Sequence, residues 1–283
     1  MAKHAFLIAV LAVGVAGCGA SAAKTQSPTT TAGIVPLRQF RFVFPEGFTR
    51  AETIARVATD LGIARAKLKR AHEPARFAIG AGSYAKASRG AVVPCFGKAV
   101  QHDLEGFLFP ATYDFDVQTT ARNLLADQLA AFCLNWRKLD LGYARSKNLT
   151  SYDVLKIASM VEEEAAVPGD RAKVAGVIYN RLRERMPLQI DATLRYGLHI
   201  PPTQSITQAE LTSDNPYNTR KLYGLPPTPI GNPGLASLEA AAHPSKAGYL
   251  YYARIPGTDR QKFFESYPAY EHYLATHGYG PHS

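Results

Sequence analysis

From Gln39 to Phe44 the chain alternates polar positions with Phe40, Phe42 and Phe44. That period of two predicts a strand with one buried face. Pro45, Glu46 and Gly47 make a turn, and Thr49 to Glu52 reads as a capping box, in which hydroxyl and carboxylate satisfy free backbone donors at a helix start. Ile54, Val57, Ala58 and Leu61 follow at helical spacing, with Gly62 as the expected stop and a second short helix from Ala64 to His72. Residues 73–100 are rich in Gly and Ala with weak periodicity and read as a junction; residues 104–115 read as strand and turn. Thr120 to Leu134 predicts a helix with Leu124, Leu125, Gln128, Leu129 and Phe132 on or beside one face. Asn148 to Met186 predicts two more, broken by Pro168 and Gly169. Beyond them the pattern is loop-rich. It holds a capping box from Thr207 to Glu210 and a short helix capped by Asn232 with Pro233 at its first position. An aromatic strand from Tyr249 to Arg254 follows, then a closing helix from Ser266 to His277 stopped by Gly278. Strands and helices without regular alternation predict an α+β fold.

The N-terminus breaks this globular pattern. Lys3 and His4 precede an apolar run from Ala5 to Ala16, too short to span a bilayer and suited to the apolar core of a signal peptide. Small residues stand immediately before Cys18, where the run stops, and Val15-Ala16-Gly17-Cys18 resembles the lipobox of bacterial lipoproteins. The expectation is a lipoprotein signal peptide over 1–17, acylation at Cys18 and a flexible tether over 18–36. That places the protein on the extracytoplasmic face of a bacterial membrane, held by lipid. Cys95 and Cys133 then remain, and both a disulfide and two buried thiols fit an oxidising compartment.

Length and charge add less. The 283 residues allow one large domain or two modest ones. A net charge of +9 favours anionic surroundings: nucleic acid, a membrane surface or an acidic polymer. No run of Lys or Arg interleaved with aromatics suggests a nucleic-acid groove, so nucleic acid is set aside as a partner.

Chemistry concentrates at Glu162, Glu163 and Glu164. Three adjacent carboxylates on a helix are usually a solvated face. Periodicity separates them. Val154, Ala158, Val161 and Ala165 define the buried stripe, so Glu163 points nearly opposite it and Glu164 lies off to one side. Glu162 falls on the other border, between Leu155 and Ser159, where desolvation disfavours the charged form and suits a general acid. In the next helix Arg181 projects within the stripe of Val174, Val177, Ile178 and Leu182, and a charge there needs a partner. A structural pairing and a role orienting an acid or a sugar both meet that need. Residues 188–191, 215–219 and the stiff 226–229 segment are turn-prone loops able to carry recognition. HExxH, GxSxG and P-loop patterns are absent from the sequence, and Cys95 and Cys133 sit among apolar residues without nearby bases, so zinc hydrolase and nucleophile-elbow chemistries are disfavoured.

Four segments in order resemble one family. Leu104 to Tyr113 resembles its "LEG-[FY]-LFP-x-TY" signature, and Ile157 to Glu164 its "IAS-x-VE-x-E" helix. Val174 to Gly197 is similar to "VA-x-V-x-x-NRL", "M-x-LQ-x-D" and "YG"; Asn215 to Gly234 to "PYNT" and "GLPP-x-PI-x-NPG". These are marks of the endolytic murein transglycosylase (YceG-like) family. The resemblance implies a LysM-like module with its junction over 37–100 and a mixed α+β catalytic domain over 101–279. It further implies a lytic transglycosylase acting on peptidoglycan glycan strands, without metal or organic cofactor, beside peptidoglycan synthases. Its catalytic glutamate lands on Glu162, the residue that helical phase had singled out. Arg181, Gln189, Asp191, Tyr217, Asn218 and Glu105 are then expected to bind the glycan or orient Glu162. The chain departs from the family pattern in its lipobox-like start and in Gln261–Phe264 and Tyr270–His272. Two other functions stay open: a hydrolase pairing Glu162 with Asp191 or Glu105, and a non-catalytic lipoprotein that binds cell wall.

Overall fold

A computed structural model describes residues 37–96 and 104–278, so the expected signal peptide, Cys18 and the tether lie outside the described residues. β1 (Phe40–Val43) pairs antiparallel with β2 (Thr112–Phe115), Phe42 opposite Tyr113. The alternation holds: Phe42 and Phe44 are buried and Arg41 and Val43 face out. The Phe42 ring stacks on Phe115 at 3.8 Å. This pairing spans residue 100, so the expected N-terminal module and the region from 101 share a sheet.

α1 (Arg50–Arg70) opens on the expected box, with Thr49 donating its N–H to Glu52 at 2.7 Å and accepting the Glu52 N–H at 3.1 Å. Gly62 does not stop it, contrary to the sequence reading. The stripe of Val57, Leu61, Ala64 and Leu68 runs straight across Gly62. An interior glycine costs about 1 kcal/mol, less than the roughly 1.5–3 kcal/mol gained by burying a leucine such as Leu68. α2 (Ala81–Ala87) lies where only a junction was expected, and α3 (Ala121–Trp136) follows β2. A Cys95–Cys133 disulfide, its ends 38 residues apart in sequence, ties the α2–β2 connection to α3. Closing a loop of that size stabilises by about 3–4 kcal/mol. Cys133→Ser should therefore clearly lower the denaturant midpoint in buffer without reductant, and a midpoint within error of wild type would show the bond to be energetically idle.

After α4 (Gly142–Ser146) comes α5 (Ser151–Glu164), then a 3-10 turn at Pro168–Asp170 and α6 (Arg171–Arg183). α7 (Asp191–Leu198), α8 (Gln208–Leu211) and α9 (Leu235–Ala242) complete the helical layer. α5 is its centre, packed against α6 and α9, with Val154, Leu155, Ile157, Ala158, Met160 and Val161 wholly buried. α9 starts later than expected, capped by Gly234. Asn232 is committed elsewhere: its Oδ1 accepts the Leu108 N–H at 2.9 Å and its Nδ2 donates to the Phe48 carbonyl at 2.5 Å. β3 (Tyr251–Arg254) and β4 (Gln261–Phe264) form a hairpin that packs on α10 (Tyr267–Thr276) through Ala253, Phe264 and Tyr273. Helices with two small antiparallel sheets make the α+β fold that the pattern predicts.

Candidate active site

The last turn of α5 presents three carboxylates to three environments. Glu162 is held: its side chain is 8% exposed, Oε2 accepts the Gly234 N–H at 2.8 Å, and Oε1 lies 3.7 Å from Arg171 Nη2. The shielding that helical phase predicts for Glu162 is therefore present. Glu163 is exposed as a residue, yet its carboxyl folds back beside Gly47. Burial, then the charges of Glu162, Glu52 and Glu164, push the Glu163 carboxyl up to about 7. Glu164 turns under the C-terminal hairpin, where burial raises its carboxyl and a 2.9 Å hydrogen bond from Tyr252 partly offsets the rise.

The Glu163 shift has a signed consequence. Below about 4.5 its carboxyl is protonated whether the chain is folded or not. Between about 4.5 and about 7 the unfolded chain ionises first, so stability is lost as pH rises through that window. Glu163→Gln removes this loss. Its stability relative to wild type should rise from pH about 4 to pH about 8 in paired unfolding curves; a flat difference would contradict the assigned environment.

Two backbone turns close over Glu162. The Gly47 N–H donates to the Asn232 carbonyl and the Asn232 N–H to the Phe48 carbonyl, both at 2.9 Å. The turns approach so closely that a Cβ at Gly231 would lie 2.4 Å from the Gly47 carbonyl oxygen. At Gly234 a Cβ would fall on the Glu46 carboxyl, so Glu46 and Glu162 meet the same residue from two sides. Burial first and the Glu162 charge second raise the Glu46 carboxyl, with Arg171 pulling the other way. Ser159 anchors the same loop by accepting the Ile230 N–H at 3.0 Å. Gly106, at φ +87°, lets the Leu104–Pro110 segment press on Pro229 and Leu155. The "LEG", "VE-x-E" and "NPG" segments thus converge on one helix end.

The other expected residues divide by environment. Asn218 is wholly buried, its amide donating to the Leu211 and Ser213 carbonyls and its oxygen accepting from the Arg220 backbone. Glu105 is 4% exposed and accepts from the Arg50 N–H and the Tyr196 hydroxyl. Arg181 donates to the Leu250, Pro187 and Leu188 carbonyls and to Gln189 Oε1, and it lies 5.4 Å over the Tyr251 ring. These three brace loops. Tyr217 is half-buried, sharing a 2.8 Å hydrogen bond with Thr228. Gln189 is exposed, and Asp191, paired with Arg220 at 2.5 Å, keeps nearly half its side chain in solvent. Gln189 and Asp191 are the pair left open to a ligand.

Sequence reasoning missed Arg171 and Glu46. Arg171 had a readable signal, because a cation in the first turn of a helix opposes the macrodipole and needs a compensating anion. Glu46 had none: it reaches Glu162 only through folding of a distant turn. The C-terminal segment that departs from the family pattern also has a place. Gln261 donates through Nε2 to the Glu164 carbonyl and through its backbone to Asp170, both within 2.9 Å, and so docks the hairpin on α5.

The family model described as "YceG-like family" matches residues 22–276. Endolytic murein transglycosylase of Bacillus subtilis (strain 168) is 40% identical over 56% of this chain and 43% of its own length. The protein of that name from Streptococcus pneumoniae (strain ATCC BAA-255 / R6) is 38% identical over 56% of this chain and 30% of its own. The chain therefore spans less than half the length of these curated relatives. The crystal structure of a yceG-like protein from Listeria monocytogenes superposes with a TM-score of 0.61 at 30% identity, covering 82% of this chain and 75% of that one. With a match along nearly the whole folded region, the chain belongs to the YceG-like family.

Proposed function

We propose that this chain is a peptidoglycan lytic transglycosylase that cuts between N-acetylmuramic acid and N-acetylglucosamine, with Glu162 as the acid. The observation that carries this reading is the setting of Glu162: shielded, hydrogen-bonded by Gly234 and enclosed by the segments that match the family. The printed name of the relatives agrees with it. Protonated Glu162 gives its proton to the bridging oxygen as the bond to the muramic C1 breaks. The 6-hydroxyl of the same sugar closes on C1, and Glu162 takes that hydroxyl's proton back. The product end is a 1,6-anhydro sugar, no water is consumed, and an intramolecular nucleophile removes the need for a second catalytic carboxylate. Gln189 and Asp191 bind the glycan in this reading, which their exposure supports. The cut is internal and limits the length of new strands beside a synthase. Residues 37–100 serve as a LysM-like wall-binding module, and acylated Cys18 holds the enzyme on the extracytoplasmic membrane face.

One observation favours a second reading. Glu46 stands beside Glu162 at Gly234, where hydrolysis by two carboxylates would want a partner for water. Of the two partners expected from sequence, Asp191 is paired with Arg220 and Glu105 is buried under hydrogen bonds from Arg50 and Tyr196. The first test is common to both readings: purified glycan strands should shorten on incubation with the protein. An unchanged length distribution would overturn enzymatic function altogether.

A further inference from the structure

On the far side of Arg171 from Glu162 lies a cavity of about 430 Å³. Lys138 after α3, Arg171 at the start of α6 and His243 at the end of α9 line it with basic groups, against the single carboxylate of Glu239. Arg171 is the shared wall. One guanidinium nitrogen faces Glu162 at 3.7 Å, while its Nε is buried without a hydrogen-bond partner. A guanidinium offers its donors as a planar fork that fits a carboxylate with two parallel bonds. Among the described residues the Arg171 side chain makes an ion pair with Glu162 but no hydrogen bond, since 3.7 Å is too long for one.

We infer that this cavity is a carboxylate-binding site that takes an acidic group from the peptide arm of the strand being cut. The inference rests on the glycan-cutting reading above. The sugars flanking the cut bear no charge of their own in the polymer, so the peptide attached to the muramic sugar supplies the anion. That arm leaves the very sugar whose C1 bond Glu162 breaks, which puts its acidic groups within reach of a pocket one guanidinium away. Lys138 and His243 add attraction from two further elements, and both are exposed enough to meet a ligand.

Occupation bears on catalysis as well as on binding. Glu162 is faced by Glu46 from the β1–α1 turn, Glu163 on its own helix, the Gly234 N–H, and Arg171 from α6. Arg171 is the cation of that set. A substrate carboxylate that engages Arg171 divides between two anions the one cation that now faces Glu162.

The test compares three substrates: strands bearing peptides, the same strands with peptide carboxyls converted to neutral amides, and strands stripped of peptide whose exposed lactyl carboxyls are likewise converted to amides. Wild type should cut the first with kcat/KM about tenfold above the other two, the ratio expected for one charge-assisted pair. Lys138→Glu, an exposed position that reverses a charge on the rim, should bring that ratio close to one. Equal rates on all three, a preference that survives amidation, or a preference undiminished in Lys138→Glu would each overturn the pocket. If wild type cuts none of the three, the glycan-cutting reading itself fails, and the pocket falls with it.

Discussion

Glu162→Gln is expected to lower strand cleavage about 10³-fold, the usual yield of a positioned general acid. The substitution is nearly isosteric, and the amide oxygen can still accept the Gly234 N–H that the carboxylate holds at 2.8 Å. What it cannot do is release a proton to the bridging oxygen. It also gives up the attraction of Arg171 at 3.7 Å, a modest loss because that pair is too long for a hydrogen bond. The fold should therefore survive with near-wild-type unfolding, read by circular dichroism beside the rate. Activity retained within a few-fold would remove Glu162 from the chemistry. Glu163→Gln is the internal control: it shares the helix turn and the charge change, but its carboxyl faces Gly47 and not Gly234.

The second large effect is structural. Arg181→Ala should destabilise by about 3–5 kcal/mol, the range for breaking a buried charged network. Arg181 is 8% exposed, and its loss strands the carbonyls of Leu188 and Leu250, each now held at 2.7 Å. It also opens a hole beneath the Tyr251 ring. Because the same side chain grips Gln189 Oε1, the loop carrying Gln189 and Asp191 should loosen, and KM should rise at temperatures where the variant remains folded. Arg181→Lys keeps the charge but cannot reach both carbonyls with one ammonium, so it should recover only part of the loss. Urea unfolding curves measure both. A shift below about 1 kcal/mol for the alanine variant would mean that the 187–189 loop and β3 are held by other contacts.

What could be read from the chain follows from where each signal is local. The capping box at Thr49, the phase of α5 that separates Glu162 from Glu163, and the break at Pro168 are properties of neighbours in sequence, and all three stand in the structure. Gly62 misled because local propensity is weak against a continuous buried stripe. Asn232 and Asn218 misled for another reason. Asn232 was expected to cap a helix and Asn218 to bind the glycan or orient Glu162, and both side chains satisfy main-chain groups of other segments. The site's charge balance was the least legible part. Arg171 and Glu46 reach Glu162 from other segments, and Glu46 does so over a sequence distance that no periodicity spans.

A cut made by Glu162 without water leaves no solvent oxygen in its products, and heavy-oxygen water separates it from hydrolysis. Strands should be digested in that solvent and the new ends weighed by mass spectrometry, with Glu162→Gln in parallel. Fragments should carry no solvent oxygen, end in 1,6-anhydro sugars and be missing from the variant digest. One heavy oxygen at each new reducing end would contradict a cut without water and assign the site to hydrolysis, with Glu46 as the candidate second carboxylate.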